Sequence, residues 1–198
     1  MPIIADCPII DHYELAPDIF RLEMEAPSIV QEAWPGQFVL IKCSQSMDPL
    51  LRRPFSIHEV RRDTGLLAIL YQVRGKGTQW LSERRPGSRI SVLGPLGRGF
   101  AFPADENDVL LLAGGIGIAA PLLFYAQELS GFGLRPRIMA GARNSSLLVS
   151  ADRFRELGLE LDVATDDGST GFPGTVVELF VATLPTAKPG LVTACGPT

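Results

Sequence analysis

The hydrophobic pattern of this chain changes period once, and that change limits the possible folds more than any other feature. Up to about residue 100, apolar and polar residues alternate in short runs, as half-buried antiparallel strands require. The spacing predicts strands at 7–15, 19–25, 37–43, 55–60, 66–73 and 88–93, and one short helix at 78–84. Pro35-Gly36, Asp63-Thr64-Gly65 and Pro86-Gly87 are the turn signals between them. Short strands at this spacing imply a small barrel or sandwich. At 109–113 the run Val-Leu-Leu-Leu-Ala is continuously apolar, as a buried parallel strand must be. Helices at 118–129, 151–157 and 176–184 then alternate with strands at 137–141, 160–165 and 191–194. That alternation implies a doubly wound parallel sheet. The expected fold is therefore β + α/β, an antiparallel β-barrel at residues 1–100 followed by an α/β domain at 105–198. The boundary falls in 97–108, where Gly, Pro and acidic residues cluster without periodicity.

Composition removes several function classes. A net charge of -4 with scattered arginines gives no basic stripe for a nucleic-acid backbone. The apolar run 109–113 falls far short of the roughly 20 residues a bilayer span needs. The N-terminus has no basic start followed by an apolar stretch, so no secretory signal is expected. Cys7, Cys43 and Cys195 are too widely spaced for a disulfide framework or a metal-ligand pair, which makes the cytoplasm the expected compartment and metal binding unexpected. His12 and His58 are the only histidines, and neither has hydrolase or metal spacing. His58 is read as a satisfied strand residue.

Two regions are competent for phosphate. In the second half, Gly115, Gly117 and Ala120 fit G-x-G-x-x-G/A between a strand and a helix. Such glycines let backbone N–H groups approach a pyrophosphate at a helix N-terminus. The same spacing also serves a tight connection that binds nothing. No acidic residue ends the next strand; Gly141-Ala142-Arg143-Asn144 stands there, and Arg143 is either a phosphate partner or a solvated loop charge. Asp166-Asp167-Gly168-Ser169 and Cys195-Gly196-Pro197 also fall at the carboxyl edge of the sheet. On residues alone the first is more simply a polar turn, and Cys195 is either a ligand-facing thiol or a small apolar residue at a strand end.

In the first half, Arg53-Pro54-Phe55-Ser56 combines a planar fork of donors, a flat apolar ring and a hydroxyl. Tyr71-Gln72-Val73-Arg74-Gly75-Lys76-Gly77-Thr78 ends a strand and begins a short helix, with Thr78 suited to be its N-cap. Two phosphate-competent segments in one small barrel point to an extended dinucleotide, although either segment could be structural.

Taken in order, Arg-Pro-Phe-Ser, Gly-Lys-Gly-Thr-Gln-Trp-Leu, Ala-Gly-Gly-Ile-Gly-Ile-Ala-Ala-Pro-Leu, Asp-Asp-Gly-Ser and Ala-Cys-Gly-Pro resemble the ferredoxin–NADP reductase superfamily over nearly the whole chain. Within it the pattern is most similar to the electron-transfer subunits of NAD-dependent (class 1B) dihydroorotate dehydrogenases. Subunits of hydrogenases, sulfide-linked reductases and NADH–ferredoxin oxidoreductases share much of it. The resemblance implies an FAD-dependent oxidoreductase of pyrimidine biosynthesis that exchanges electrons with NAD(P)H and with a catalytic dihydroorotate dehydrogenase subunit or another redox subunit. A stand-alone flavin reductase and a non-catalytic nucleotide-binding module are the alternatives.

By the same resemblance, Arg53 would bind the FAD phosphates and Pro54 would shape the turn. Phe55 would stack on the flavin where many relatives have Tyr, and Ser56 would lie beside flavin N5. Tyr71, Gln72 and Val73 would line the flavin and adenine side, with Gly77 and Thr78 on the pyrophosphate. Gly114, Gly115 and Gly117 would cradle NAD(P), with Asp167, Cys195 and Gly196 near the nicotinamide; Ser56 and Cys195 are the residues expected beside the reacting rings. Relatives continue past Cys-Gly-Pro into a helix and a cysteine cluster for a [2Fe–2S] centre. This sequence stops at Thr198, so a missing C-terminal segment is expected to carry any such cluster.

Overall fold

A computed structural model describes residues 1–44, 50–103, 108–115, 120–184 and 189–196. Chain contacts divide it into two compact units, Met1–Phe100 and Ala101–Thr198.

The first unit is a closed antiparallel barrel. Its strands are β1 (Ile3–Ala16), β2 (Ile19–Glu25), β3 (Phe38–Ile41), β4 (Arg53–Arg61), β5 (Leu66–Gln72) and β6 (Arg89–Leu96), in the order β1-β2-β5-β4-β3-β6. Closure leaves no free sheet edge. Alternation sets what lies inside: Leu22 and Met24 from β2, Phe55 and Ile57 from β4, and Leu67 and Ile69 from β5 are buried. Ile57 and Val60 are three apart and would face opposite sides of a regular strand. A register shift between Ile57 and Glu59 lets Ile57 pair with Ile69 and Val60 with Leu67, so both reach the core.

Two short helices belong to this unit. Helix α1 (Pro27–Glu32) was not expected; six residues are too few to show a helical period, and Pro27 in the first turn is its one sequence signal. It buries Ile29 and Val30. Helix α2 (Lys76–Ser82) begins two residues before the expected start.

The second unit is a five-stranded parallel sheet built from β7 (Val109–Gly114), β8 (Arg137–Ala142), β9 (Leu161–Thr165), β10 (Phe172–Pro173) and β11 (Leu191–Cys195), in the order β10-β9-β8-β7-β11. Its helices are α3 (Pro121–Gly131), α4 (Ala151–Glu156) and α5 (Val176–Thr183). Leu179 of α5 packs on Leu110, Met139 and Ala164, which gives one face of the sheet to α5. Helix α3 packs on β7 and on α4. Its buried residues surround the whole helix, Leu122 to Ala126 together with Leu129, so its sequence shows no one-sided stripe. The strand order reverses beside β7, which has β8 on one side and β11 on the other. In open α/β sheets a crevice opens at the carboxyl ends of such strands. Among the described residues, no helix is long and apolar enough to cross a membrane.

Candidate functional site

In the barrel, Arg53 opens β4 and lays its side chain against the first turn of α2. A Cβ on Gly77 would stand 3.2 Å from both Cγ and Nε of Arg53, and 3.3 Å from Cβ of Cys43. Gly77 is therefore needed less for its torsional freedom than for the room it leaves the arginine. One guanidinium nitrogen donates to the Leu51 carbonyl at 2.8 Å. The first-turn amides of α2 have no acceptor within the helix. A guanidinium beside them suits a phosphate oxygen, so these residues fit a phosphate-bearing cofactor.

Pro54 and Ser56 occupy alternate positions of β4 and share its outward face. Pro54 is exposed and Ser56 half-buried. Phe55 lies between them and points inward. It is 7% exposed, and its ring meets the Tyr71 ring edge-on at 5.6 Å. The strand phase that buries Ile57 also buries Phe55, and Pro54 is left as the outward apolar surface. Tyr71 is 3% exposed and its hydroxyl is 2.9 Å from Nε2 of His12. His12 Nδ1 lies 2.7 Å from the Arg84 carbonyl, which can only accept, so Nδ1 donates there and Nε2 is left to face the Tyr71 hydroxyl. Burial pushes the Tyr71 phenol above its ordinary range. Tyr71 thus packs among the rings of His12, Phe20 and Phe55.

Thr78 also departs from expectation. The N-cap of α2 is Gly75, and the Thr78 hydroxyl reaches back to accept from the Arg74 and Gly75 amides at 2.8 and 3.1 Å. It fixes the shape of the loop. Gln72 accepts from Arg74 Nε at 3.0 Å, and the Val73 amide donates to the Asp18 carbonyl at 2.8 Å. Cys43 is fully buried, and its thiol is pushed up to about 11 by burial, so it stays protonated at neutral pH.

In the second unit, a cleft of about 590 Å³ opens at the carboxyl ends of β7, β8 and β11, within the range of small-molecule sites. Glycines hold it open. A Cβ on Gly196 would lie 3.3 Å from Cα of Gly114, and one on Gly141 would lie 2.6 Å from Cβ of Val176. Gly115 has φ +60, a left-handed conformation suited to glycine. Gly117 lies outside the described residues. Gly114, Gly115, Gly196 and Cys195 all border the cleft. Cys195 is half-buried and desolvation raises its thiol above 9.0, so it presents a neutral thiol and no nucleophile.

Asp167 does not border the cleft. Its carboxylate accepts from the Ser169 amide at 2.9 Å within its own turn, and the Ser169 hydrogen bonds hold it below the ordinary carboxylate range. The cleft residue is Asp166, one position earlier. The parallel register explains the difference. Ala142 pairs with Thr165, so the next positions, Arg143 and Asp166, continue the sheet face that carries Met139 and Ala164. Thr175, Val176 and Val177 form the wall that residue types alone did not reveal. The spacing Thr175-x-x-Glu178 is a capping-box signature and marks the start of that wall.

A closed barrel with a phosphate-competent arginine and a separate parallel sheet with a cleft at its switch point define the ferredoxin-reductase class of FAD- and NAD-linked oxidoreductases. Residues 6–100 match the family described as oxidoreductase FAD-binding domain. The chain is 44% identical to the dihydroorotate dehydrogenase B (NAD(+)), electron transfer subunit of Desulforamulus reducens, a match that covers 100% of this chain and 75% of that protein. With the subunit of the same name from Geobacillus kaustophilus it shares 37% identity over 92% of this chain and 70% of the relative. A solved NADH-dependent reduced ferredoxin-NADP oxidoreductase superposes with a TM-score of 0.84 at 32% identity, covering 98% of this chain and 68% of that one. The chain belongs to the family of dihydroorotate dehydrogenase B electron transfer subunits.

Proposed function

We propose that this chain holds FAD on its barrel and carries electrons between NAD(H), bound in the cleft of its parallel sheet, and the catalytic subunit of a dihydroorotate dehydrogenase B in the cytoplasm. The observation that carries the reading is Arg53 laid across Gly77, a cationic fork that a side chain at position 77 would crowd. Bound FAD supplies the two-electron acceptor for the hydride of NADH. Arg53 offsets the charge of the cofactor phosphates, and Gly77 keeps the backbone close to them. Pro54 and Ser56, on the outward face of β4, would meet the flavin ring, and the Ser56 hydroxyl could donate to a ring nitrogen. Phe55 and Tyr71 support that face from inside the barrel. The neutral thiol of Cys195 fills the floor of the nucleotide cleft without adding charge near a transferred hydride. Hydride exchange needs no protein acid or base, so alignment and exclusion of water are what the chain contributes.

The test is anaerobic addition of NADH to FAD-loaded protein, followed by loss of the oxidised flavin's visible absorbance. Bleaching is expected. A protein that stays colourless after incubation with FAD refutes the reading. Arg53→Ala is expected to weaken FAD retention by roughly 10- to 100-fold, as loss of a charge-assisted hydrogen bond does. Unchanged FAD affinity would remove Arg53 from the site. The likeness to a ferredoxin-linked oxidoreductase supports a second reading for the partner only. Orotate formation coupled to NAD+ reduction, on mixing with a dihydroorotate-oxidising subunit, selects the first.

A further inference from the structure

Tyr71 and Arg84 stand at the two ends of the segment that carries Gly77 and Thr78, and one imidazole holds both ends. His12 Nδ1 is 2.7 Å from the Arg84 carbonyl, and Nε2 is 2.9 Å from the Tyr71 hydroxyl. His12 belongs to β1, far from this segment in sequence, where it pairs with Leu22 of β2. Its half-buried ring lies 5.5 Å from the Phe20 ring and stacks on Tyr71 at 6.1 Å. At one end of the segment, Tyr71 meets the ring of Phe55, the residue between Pro54 and Ser56, edge-on at 5.6 Å. At the other, Arg84 lays its guanidinium over the Trp80 ring at 4.2 Å and donates from Nε to the Trp80 carbonyl at 3.1 Å, which ties it back to α2. Between the ends, the Thr78 hydroxyl accepts from the Arg74 and Gly75 amides and sets the shape of the turn.

We infer that His12 is a positioning residue: by holding both feet of segment 71–84 it fixes Gly77 against Arg53 and so pre-organises the phosphate corner of the barrel. The inference rests on the reading of Arg53 and Gly77 as that corner. A segment held at one foot can pivot; held at both, its height above the barrel is set. Little slack is available there, because a Cβ on Gly77 would already stand 3.2 Å from Cγ and Nε of Arg53. An imidazole suits the task. It is rigid and planar, and its two ring nitrogens address two partners at once. His12 touches no cofactor in this role. It acts through the shape of the segment, so the cost of ordering that segment falls on folding rather than on binding. The role also accounts for Tyr71, whose hydroxyl is one of the two feet and is not turned to a ligand.

Two substitutions and two measurements test this without turnover. His12→Phe keeps a ring and removes both hydrogen bonds; Tyr71→Phe keeps the packing and removes one. Titration of the FAD-free protein with FAD should show the dissociation constant rising about tenfold in His12→Phe and by less in Tyr71→Phe. Hydrogen exchange of the FAD-free protein should quicken at 74–78 in both variants while 66–70, in β5, keeps its wild-type rate. In an Arg53→Ala background His12→Phe should weaken FAD little further, because the two residues act on one corner. Unchanged FAD affinity in both variants overturns the inference. So does faster exchange at 66–70 and 74–78 together, which would make His12 a support of the whole barrel. Tyr71→Phe gives the same two readouts where His12→Phe fails to fold. Wild-type FAD affinity in Arg53→Ala overturns the phosphate reading itself, whatever His12 does.

Discussion

Gly141 decides how closely α5 approaches the sheet. A Cβ there would lie 2.6 Å from Cβ of Val176 and 3.1 Å from its backbone nitrogen, and neither atom is the tip of a flexible chain. Gly141→Ala must push the start of α5 outward. Overpacking of this kind costs about 1–3 kcal/mol, so the melting temperature is expected to fall and NAD+ affinity with it. A variant that melts with the wild type would show that α5 yields freely. At this scale the sequence revealed residue types better than directions. Arg53 and the glycines of the cleft stand out as residue types because their chemistry is local: a donor fork, and an absent side chain. The directions of Phe55, Tyr71 and Asp167 were not legible, because orientation follows from strand phase. Phe55 shares the phase of Ile57, and Asp166, not Asp167, shares that of Ala164. Phase is fixed only when a strand meets its partners.

Helix α5 is the element most open to test. The Thr175 hydroxyl accepts from the Glu178 amide at 3.2 Å, and the Glu178 carboxylate accepts from the Thr175 amide at 2.7 Å. Thr175→Ala removes this cap and is expected to cost about 1 kcal/mol of stability, whereas Thr175→Ser should recover most of it; equal melting of all three proteins would discount the cap. The Thr175 hydrogen bonds hold Glu178 below its ordinary value of 4.5. A carboxylate with a lowered folded value contributes above its unfolded value and loses that contribution as pH falls through the folded one. The melting difference between wild type and Glu178→Gln should therefore be present at pH 7 and close as the pH drops below the ordinary glutamate range. Most strands were legible from alternation or from a continuous apolar run. Helix α1, with six residues, and β10, with two, were not; both are shorter than any period that could signal them. The shift in β4 was hidden as well, since a single extra residue leaves no mark until the opposing strand is known.

The whole chain comprises two compact units, each with its own core and its own candidate site. The change of period near residue 100 announces the two architectures because an antiparallel barrel and a parallel sheet bury their strands differently, on one face in the first and on both in the second. The electron acceptor was not legible in that way. It came from motif order and from the relatives, because a surface that exchanges electrons with a partner needs no distinctive local pattern. Separate sites predict separate protection by their ligands in hydrogen exchange. At 100 times its dissociation constant a ligand stabilises the form it binds by about 2.7 kcal/mol, which slows amides that exchange through opening of that site about 100-fold. FAD should slow residues 53–56 and 74–78, around Arg53 and the first turn of α2. NAD+ should slow 141–143, 166–167 and 194–196, around the cleft. If FAD leaves 74–78 untouched, the Arg53 site is wrong. If NAD+ leaves 141–143 and 166–167 untouched while still slowing 194–196, the nucleotide occupies the switch point without reaching the ends of β8 and β9.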